Sequence, residues 1–204
     1  MTNLNSYQLF LSQRSPFARR IRLALKRLDL PFEEKVVNVF EENPDLLAAN
    51  PLGMVPTLLT PDGLSLFDSA MILEYLHDVT GGIWPSGTRE KLMVRQTAAL
   101  AAGLIQSTVA FFQETSMHEV PSPLWAKDHY LTVVNTLREM ERTPEVFWLR
   151  DGKLTQAGWD LAVALDYLEI RIPDLRLSEH YPSLIKLHTL ANQDAHFLET
   201  KPKL

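Results

Sequence analysis

The chain contains no cysteine. Disulfides, cysteine-ligated metals and a cysteine nucleophile are therefore excluded, and any thiol chemistry must use a thiol that a ligand brings. No run of about 18 apolar residues occurs, so no membrane span is expected. Met1-Thr2-Asn3-Leu4-Asn5 has neither a basic region nor an apolar run, so no leader is visible and a cytoplasmic protein is expected. Excess positive charge is missing too. The chain has 20 basic and 25 acidic side chains, a net charge of -5. Residues 1–80 carry 7 and 10 of these and the remainder 13 and 15, so the parts stand at -3 and -2. No global field favours nucleic acid or an anionic membrane. The one local basic cluster, around Arg19 and Arg22, reads as a solvated helix face. The six histidines, at 77, 118, 129, 180, 188 and 196, show no metal-ligand spacing, so no metal is expected. His188, on an apolar face, reads as a satisfied core histidine. Internal repeats and low-complexity tracts are absent.

What is present is an ordinary globular composition. The 204 residues are 46% hydrophobic and 22% charged, enough for one large domain or two small ones with a real core. Tyr7 to Leu11 reads as a strand. Pro16 to about Leu28 reads as a helix with Phe17, Ile21, Ala24, Leu25 and Leu28 on one apolar face. Phe32 to Val39 is a second strand, and strand–helix–strand implies a parallel pair with a right-handed crossover. Asn43-Pro44 starts a short helix through Ala49. Val55 to Thr60 and Leu64 to Phe67 are strands joined by Pro61-Asp62-Gly63, where Asp-Gly signals a hairpin. Ser69 to about Val79 is a helix with Ile72, Leu76 and Val79 on its buried side. Gly81-Gly82-Ile83-Trp84-Pro85 breaks the pattern. Everything beyond reads as helix: Thr88 to about Met117, Pro123 to Arg142, one capped by Thr155 after the Asp151-Gly152-Lys153 turn, and one opening at Pro182. Leu184, Leu187 and Ala191 face inward on that last helix.

Three stretches carry chemistry. The first is Ser12-Gln13-Arg14-Ser15-Pro16-Phe17. Pro16 suits the first turn of a helix, which places Ser15 at the helix N-terminus beside unpaired N–H groups and the positive end of the dipole. Read alone, Ser15 is an N-cap. The second is Asn50-Pro51-Leu52-Gly53-Met54-Val55-Pro56-Thr57-Leu58, whose Pro56 could simply keep a strand edge from pairing. The third is Leu66-Phe67-Asp68-Ser69-Ala70-Met71-Ile72. Asp68 and Ser69 open a helix, either as a capping pair or as a site for an ammonium and a carboxylate.

In this order and at these distances the three stretches resemble the amino-terminal domain of cytosolic glutathione transferases, most of all the bacterial and plant members that use serine. The weaker signals Asp151-Gly152-Lys153-Leu154-Thr155, Tyr181-Pro182-Ser183-Leu184 and His196-Phe197 extend the resemblance over almost the whole chain. It implies a thioredoxin-like α/β domain of order βαβαββα over 1–80, a linker over 81–87 and an all-α domain over 88–204. It implies glutathione as a substrate, with Ser15 donating a hydrogen bond to the thiolate and Ser12 as the rival. A cis Pro56 would turn the backbone of Val55 toward the cysteinyl part of glutathione, and Asp68 and Ser69 would hold the γ-glutamyl end. The other substrate would be a small apolar electrophile or a peroxide, in a pocket for which Phe111, Phe112, Met117, His118 and Trp125 are candidates. A core or dimer contact is the other reading of that aromatic pair. A homodimer is expected.

The chain departs from the pattern at three places. Met54 stands where many relatives have Lys or Gln, which helps hold the glycyl carboxylate; Lys35 or Arg14 could substitute. Asp68 replaces the more usual Glu. Gly158 stands where the central helix usually has an acidic residue, so the capping box begun by Thr155 is incomplete and a slight loss of stability is expected. The alternative to an enzyme is a non-catalytic member of the family that acts through protein contacts. A mixed-disulfide mechanism would need a cysteine that the chain lacks.

Overall fold

The computed structural model describes residues 6–202, so the expectation for Met1 to Asn5 lies outside the described residues. The chain forms two compact units. One runs to Ile83 and takes in the chain from Asp194 on; the other is Trp84–Gln193. The expected helical domain, 88–204, therefore loses its last residues to the first unit.

In the first unit, β1 (Tyr7–Leu11), β2 (Phe32–Val36), β3 (Thr57–Leu59) and β4 (Ser65–Leu66) form a sheet in the order β2-β1-β3-β4. β1 pairs parallel with β2 and antiparallel with β3, which pairs antiparallel with β4. The helices are α1 (Pro16–Arg27), α2 (Pro44–Ala49) and α3 (Ser69–Thr80). This is the βαβαββα order, with strands shorter than expected. Side chains alternate along β1. Phe10 joins Val37 and Leu46 in a small cluster on one face, which leaves Leu9 and Leu11, both wholly buried, to the other. α1 contributes Ile21, Leu23 and Leu25 to the core, and α3 contributes Ile72, Leu73 and Leu76. Val79 is exposed rather than buried, because α3 is closing there: Gly81 takes a left-handed conformation (φ 69°) and its N–H bonds back to the His77 carbonyl.

The basic cluster on α1 is the larger correction. Arg19, Arg20 and Arg22 are 4%, 3% and 7% exposed, not solvated. The chain end covers them. In that end α9 (Ala195–Glu199) is capped by Asp194, which accepts from Phe197 N–H at 2.9 Å. Arg19 donates to the Phe197 carbonyl at 3.1 Å and lies 4.3 Å over the Phe197 ring. Arg22 donates to the Thr200 carbonyl at 3.2 Å and to Glu34 at 2.8 Å. Phe197 and Thr200 are wholly buried. Guanidinium groups suit this position because their forked donors satisfy carbonyls that have no further helix turn to serve.

The second unit is helical, apart from a small hairpin of β5 (Leu149–Arg150) and β6 (Lys153–Leu154) where only a turn is expected. Its helices are α4 (Thr88–Met117), α5 (Pro123–Arg142), α6 (Gln156–Arg171), α7 (Leu177–His180) and α8 (Pro182–Ala191). α6 is the central one: every residue from Gln156 to Leu168 is buried. Leu184, Leu187 and Ala191 are buried on α8. No helix among the described residues is long and apolar enough to cross a membrane.

Candidate functional site

Strand register brings the three chemical stretches together. β1 pairs Phe10 with Thr57, and β3 pairs Leu58 with Leu66. Continued past the last paired residues, the two registers set Pro56 between Leu11 and Asp68. The loop after β1, the segment before β3 and the segment after β4 therefore lie at one end of the sheet. That end carries Ser12 to Ser15, Met54 to Pro56, and Asp68 with Ser69.

Ser15 is the N-cap of α1. Its hydroxyl oxygen accepts from Ala18 N–H at 3.2 Å, and Pro16 occupies the first turn. The first turn contains no acidic side chain, so nothing within the helix neutralises the positive end of its dipole. The hydroxyl proton of Ser15 has no acceptor among the described residues. Ser12 lies three residues earlier in the loop, where its carbonyl accepts from Ser15 N–H at 3.0 Å. Both serines are half-buried.

The Val55–Pro56 peptide bond is cis, as the resemblance implies, and Phe67–Asp68 is cis as well. Val55 is half-buried and Pro56 buried. The loop before them is held by Asn50, which no sequence reasoning singled out. Wholly buried, Asn50 donates to the Met54 carbonyl (3.1 Å) and to Thr57 Oγ1 (3.0 Å), and accepts from Leu52 N–H (3.0 Å). Thr57 Oγ1 in turn donates to the Met54 carbonyl at 2.8 Å. The signal available in the sequence was an Asn at the end of a helix, seven residues before a Thr that opens a strand. The Met54 side chain itself is 62% exposed and offers no donor. Of its proposed substitutes, Lys35 is paired with Glu33 and Arg14 is exposed.

Asp68 and Ser69 both have internal work. Asp68 caps α3: Oδ1 accepts from Ala70 N–H (2.9 Å) and Met71 N–H (3.2 Å). Its Oδ2 has no partner among the described residues, and the side chain is exposed. Ser69 is buried, and its hydroxyl accepts from Arg20 Nη1 at 3.1 Å. Arg20 is a second residue that sequence reasoning missed. It ties the helix that Ser15 caps to the helix that Asp68 caps.

The candidates for the second substrate lie at the end of α4 and the start of α5. Phe111 sits 5.8 Å from the Tyr130 ring, and Phe112 lies 3.8 Å under the Arg171 guanidinium. Both are half-buried. Met117 is exposed, and His118 is exposed with Nδ1 3.2 Å from Glu114. Trp125 meets His129 edge-on at 4.9 Å. His188 has the partner expected of a core histidine, Asp166 Oδ1 at 2.6 Å. Glu169 joins this pair in a trio of potential ligand atoms within 4.8 Å of one another, a grouping that histidine spacing alone does not reveal.

Residues 14–79 match the family model of the glutathione S-transferase N-terminal domain. Over nearly the whole chain, the protein is 30% identical to the uncharacterized GST-like protein YibF of Escherichia coli (strain K12), across 202 residues covering 94% of this chain and 96% of that one. The chain belongs to the glutathione transferase family. The solved members agree in fold. A glutathione S-transferase from Methylobacillus flagellatus KT, crystallised with GSH bound, superposes with a TM-score of 0.89 at 29% identity, covering 97% of this chain and 100% of that one. Another, from Methylobacterium radiotolerans JCM 2831 in complex with glutathione sulfonate, superposes at 0.87 with 26% identity, covering 97% and 95%. Family membership accounts for the α/β order of the first unit and the helices of the second.

Proposed function

We propose that the protein is a glutathione transferase that activates the thiol of glutathione for attack on a small apolar electrophile or a peroxide. The observation that carries this reading is the state of the Ser15 hydroxyl. Its oxygen is used as a helix cap while its proton is left to donate, at a helix end with no acidic side chain in its first turn. A free thiol has a pKa of about 8.5 and is mostly protonated at neutral pH. Lowering that value by about two units requires about 2.7 kcal/mol. A hydrogen bond to a charged acceptor supplies about 1.5–3 kcal/mol and a helix N-terminus about 0.3–1 kcal/mol, so the two together suffice.

In this reading Ser15 is a donor and never a nucleophile. The backbone of Val55 pairs with the cysteinyl residue as a strand would. Asp68 Oδ2 takes the γ-glutamyl ammonium, and Ser69 with the start of α3 takes its carboxylate. Phe111, Phe112, Met117 and His118 belong to the second-substrate pocket. The active species is a cytoplasmic homodimer. A second reading, a non-catalytic member working through protein contacts, is favoured by the exposed, donor-free side chain of Met54 alone.

Calorimetric titration of glutathione, with thiolate absorbance of the bound ligand followed against pH, tests both readings. The expected result is a lowered thiol pKa in the wild type that returns toward the free value in Ser15→Ala. Loss of the shift in Ser12→Ala instead moves the role to Ser12. Absence of binding at millimolar glutathione refutes the enzyme and leaves the second reading.

A further inference from the structure

We infer that the helical unit holds a site for a divalent transition-metal ion, Zn²⁺ above all, formed by the Asp166 and Glu169 carboxylates of α6 and the His188 imidazole of α8. One potential ligand atom of each residue lies within 4.8 Å of the other two. All three residues belong to the second unit, whereas Ser15, Val55, Asp68 and Ser69 belong to the first. The site stands or falls independently of the proposed transferase chemistry.

Three observations carry the inference. The first is placement. Asp166 and Glu169 stand three apart on α6, which sets both carboxylates on one helix face. His188 meets them from α8, with Nε2 2.6 Å from Asp166 Oδ1. The second is burial. Asp166 and His188 are 7% and 9% exposed, and buried charges are paired or coordinate metals. The Asp166–His188 pair would meet that need by itself. The third observation, Glu169, is what the pair does not explain. It is exposed and has no hydrogen bond or ion pair among the described residues, yet its carboxylate lies beside that of Asp166. Two like charges so close disfavour each other, and a divalent cation between them turns the repulsion into coordination.

Charge and ligand type narrow the class. The carboxylates bring two negative charges, and the single imidazole offers at most one positive charge. The cations nearest in sequence are engaged elsewhere. Arg171 lies over the rings of Phe112 and Tyr167, at 3.8 Å and 5.3 Å, and Lys186 is 3.6 Å from Glu145. Imidazole suits zinc and its neighbours, whereas magnesium and calcium take oxygen ligands. Zinc bonds of about 2.0–2.2 Å set tetrahedral ligand atoms about 3.3 Å apart, so Asp166 and His188 open by less than about 1 Å and Glu169 draws in. Rotation of three side chains covers that change. The fourth position goes to water, and the ion joins α6 to α8. Spacing between histidines does not reveal such a site, because only one histidine takes part.

The test uses the full chain, stripped of metal with EDTA and titrated with zinc chloride in a calorimeter. The wild type is expected to bind one Zn²⁺ per chain. Its melting temperature should rise with zinc, since an ion that binds the folded chain stabilises it. Glu169→Gln, at an exposed position, should weaken zinc binding about tenfold or more, because even a lost partner of a metal ligand costs that much. Glu179→Gln makes the same charge change on α7, where Glu179 lies 3.6 Å from Arg176, and should leave zinc binding unchanged. His188→Gln should abolish it, with circular dichroism to show that the variant is folded. If that variant does not fold, the comparison of the two glutamate variants decides alone. Excess magnesium should not displace zinc. Absence of binding at micromolar zinc overturns the inference. Equal weakening by Glu169→Gln and Glu179→Gln, or displacement by magnesium, would reveal a general acidic field and overturn it too. So would zinc binding that survives both Glu169→Gln and His188→Gln, which would place the ion on other histidines.

Discussion

Gly158 allows a quantitative contest between two opposing effects. It lies in the first turn of α6, and a glycine in a helix is about 1 kcal/mol worse than alanine, so propensity alone favours Gly158→Ala. Packing opposes it. A Cβ at Gly158 would lie 2.4 Å from the Trp148 carbonyl oxygen and 2.9 Å from Leu154 Cδ2. Leu154 could turn away, but the Trp148 carbonyl is held by Thr155 N–H at 2.9 Å, and Thr155 Oγ1 also donates to the Phe147 carbonyl at 2.7 Å. Moving that backbone loosens the contacts that start the helix, at about 0.5–1.5 kcal/mol per hydrogen bond, on top of about 1–3 kcal/mol of overpacking. The net expectation is a destabilisation of about 2–3 kcal/mol. With a urea m-value of about 2–3 kcal/mol/M, the unfolding midpoint falls by about 1 M. Gly103 is the internal control. It is exposed on α4 and nothing lies within 4 Å of a Cβ there, so Gly103→Ala should stabilise by about 0.5–1 kcal/mol. A Gly158→Ala variant as stable as the wild type, beside a stabilised Gly103→Ala, would refute the packing argument.

Arg22→Ala should cost about 2–3 kcal/mol in urea unfolding, because it strips the donor from the buried Thr200 carbonyl and from Glu34. It should also make the segment after Asp194 an early target in limited proteolysis. Asn50→Ala should cost a similar amount and weaken glutathione binding in calorimetry, since the Met54 carbonyl loses one of its two side-chain donors and keeps only Thr57 Oγ1; unchanged affinity would show that the loop holds its place without Asn50. The pair between Lys26 and Glu199, at 3.0 Å, predicts a pH dependence. The Lys26 hydrogen bond, its charge and that of His196 hold the Glu199 carboxyl below its ordinary value of 4.5. A carboxyl with a lowered folded pKa contributes stability that is present above its unfolded value and lost as the pH falls through the folded one. Glu199→Gln should therefore differ from the wild type at pH 7 and converge with it once the pH falls below the lowered folded value, an effect kept small by the exposure of the pair.

Much of this molecule was legible because its signals are local. Pro16 after Ser15, Asp-Gly between two short apolar runs, and Thr155 before a long apolar helix each act within a few residues, and all three appear as expected. The misreadings share one physical cause. Arg19 and Arg22 look solvated because, Glu34 apart, the groups that cover them and their neighbour Arg20 are far away in sequence. Their partners Phe197 and Thr200 lie some 178 positions away, and Ser69 lies 49 away. The chain end therefore belongs with the first unit although it follows the helical domain. Gly158 leaves the capping box incomplete as expected, with Thr155 keeping its half, but a local rule does not show why glycine stands there: a Cβ would meet the Trp148 carbonyl ten residues earlier. Val79 failed because helical periodicity does not show where a helix leaves its core.

The candidate site raises a further point about reading serines. At Ser15, and again at Asp68-Ser69, a structural cap and a ligand contact stand as rival explanations in the sequence. The hydrogen bonds make them compatible. A serine hydroxyl has two lone pairs and one proton. At Ser15 one lone pair accepts from Ala18 N–H, and at Ser69 one accepts from Arg20, so in both cases a protein donor uses the acceptor side and leaves the proton to point elsewhere. A hydroxyl that already accepts a hydrogen bond is a better donor to an anion than a free one, because the accepted bond polarises its O–H. Asp68 divides its work by atom: Oδ1 caps α3 and Oδ2 remains open. The folding role thus fixes the orientation that the proposed chemistry needs. Ser15→Thr supplies the check. A threonine can cap a helix and donate a proton, so it should preserve the thiol shift that Ser15→Ala abolishes. A Thr variant that caps the helix, keeps the wild-type unfolding midpoint and still loses the shift would separate the two roles and contradict this account.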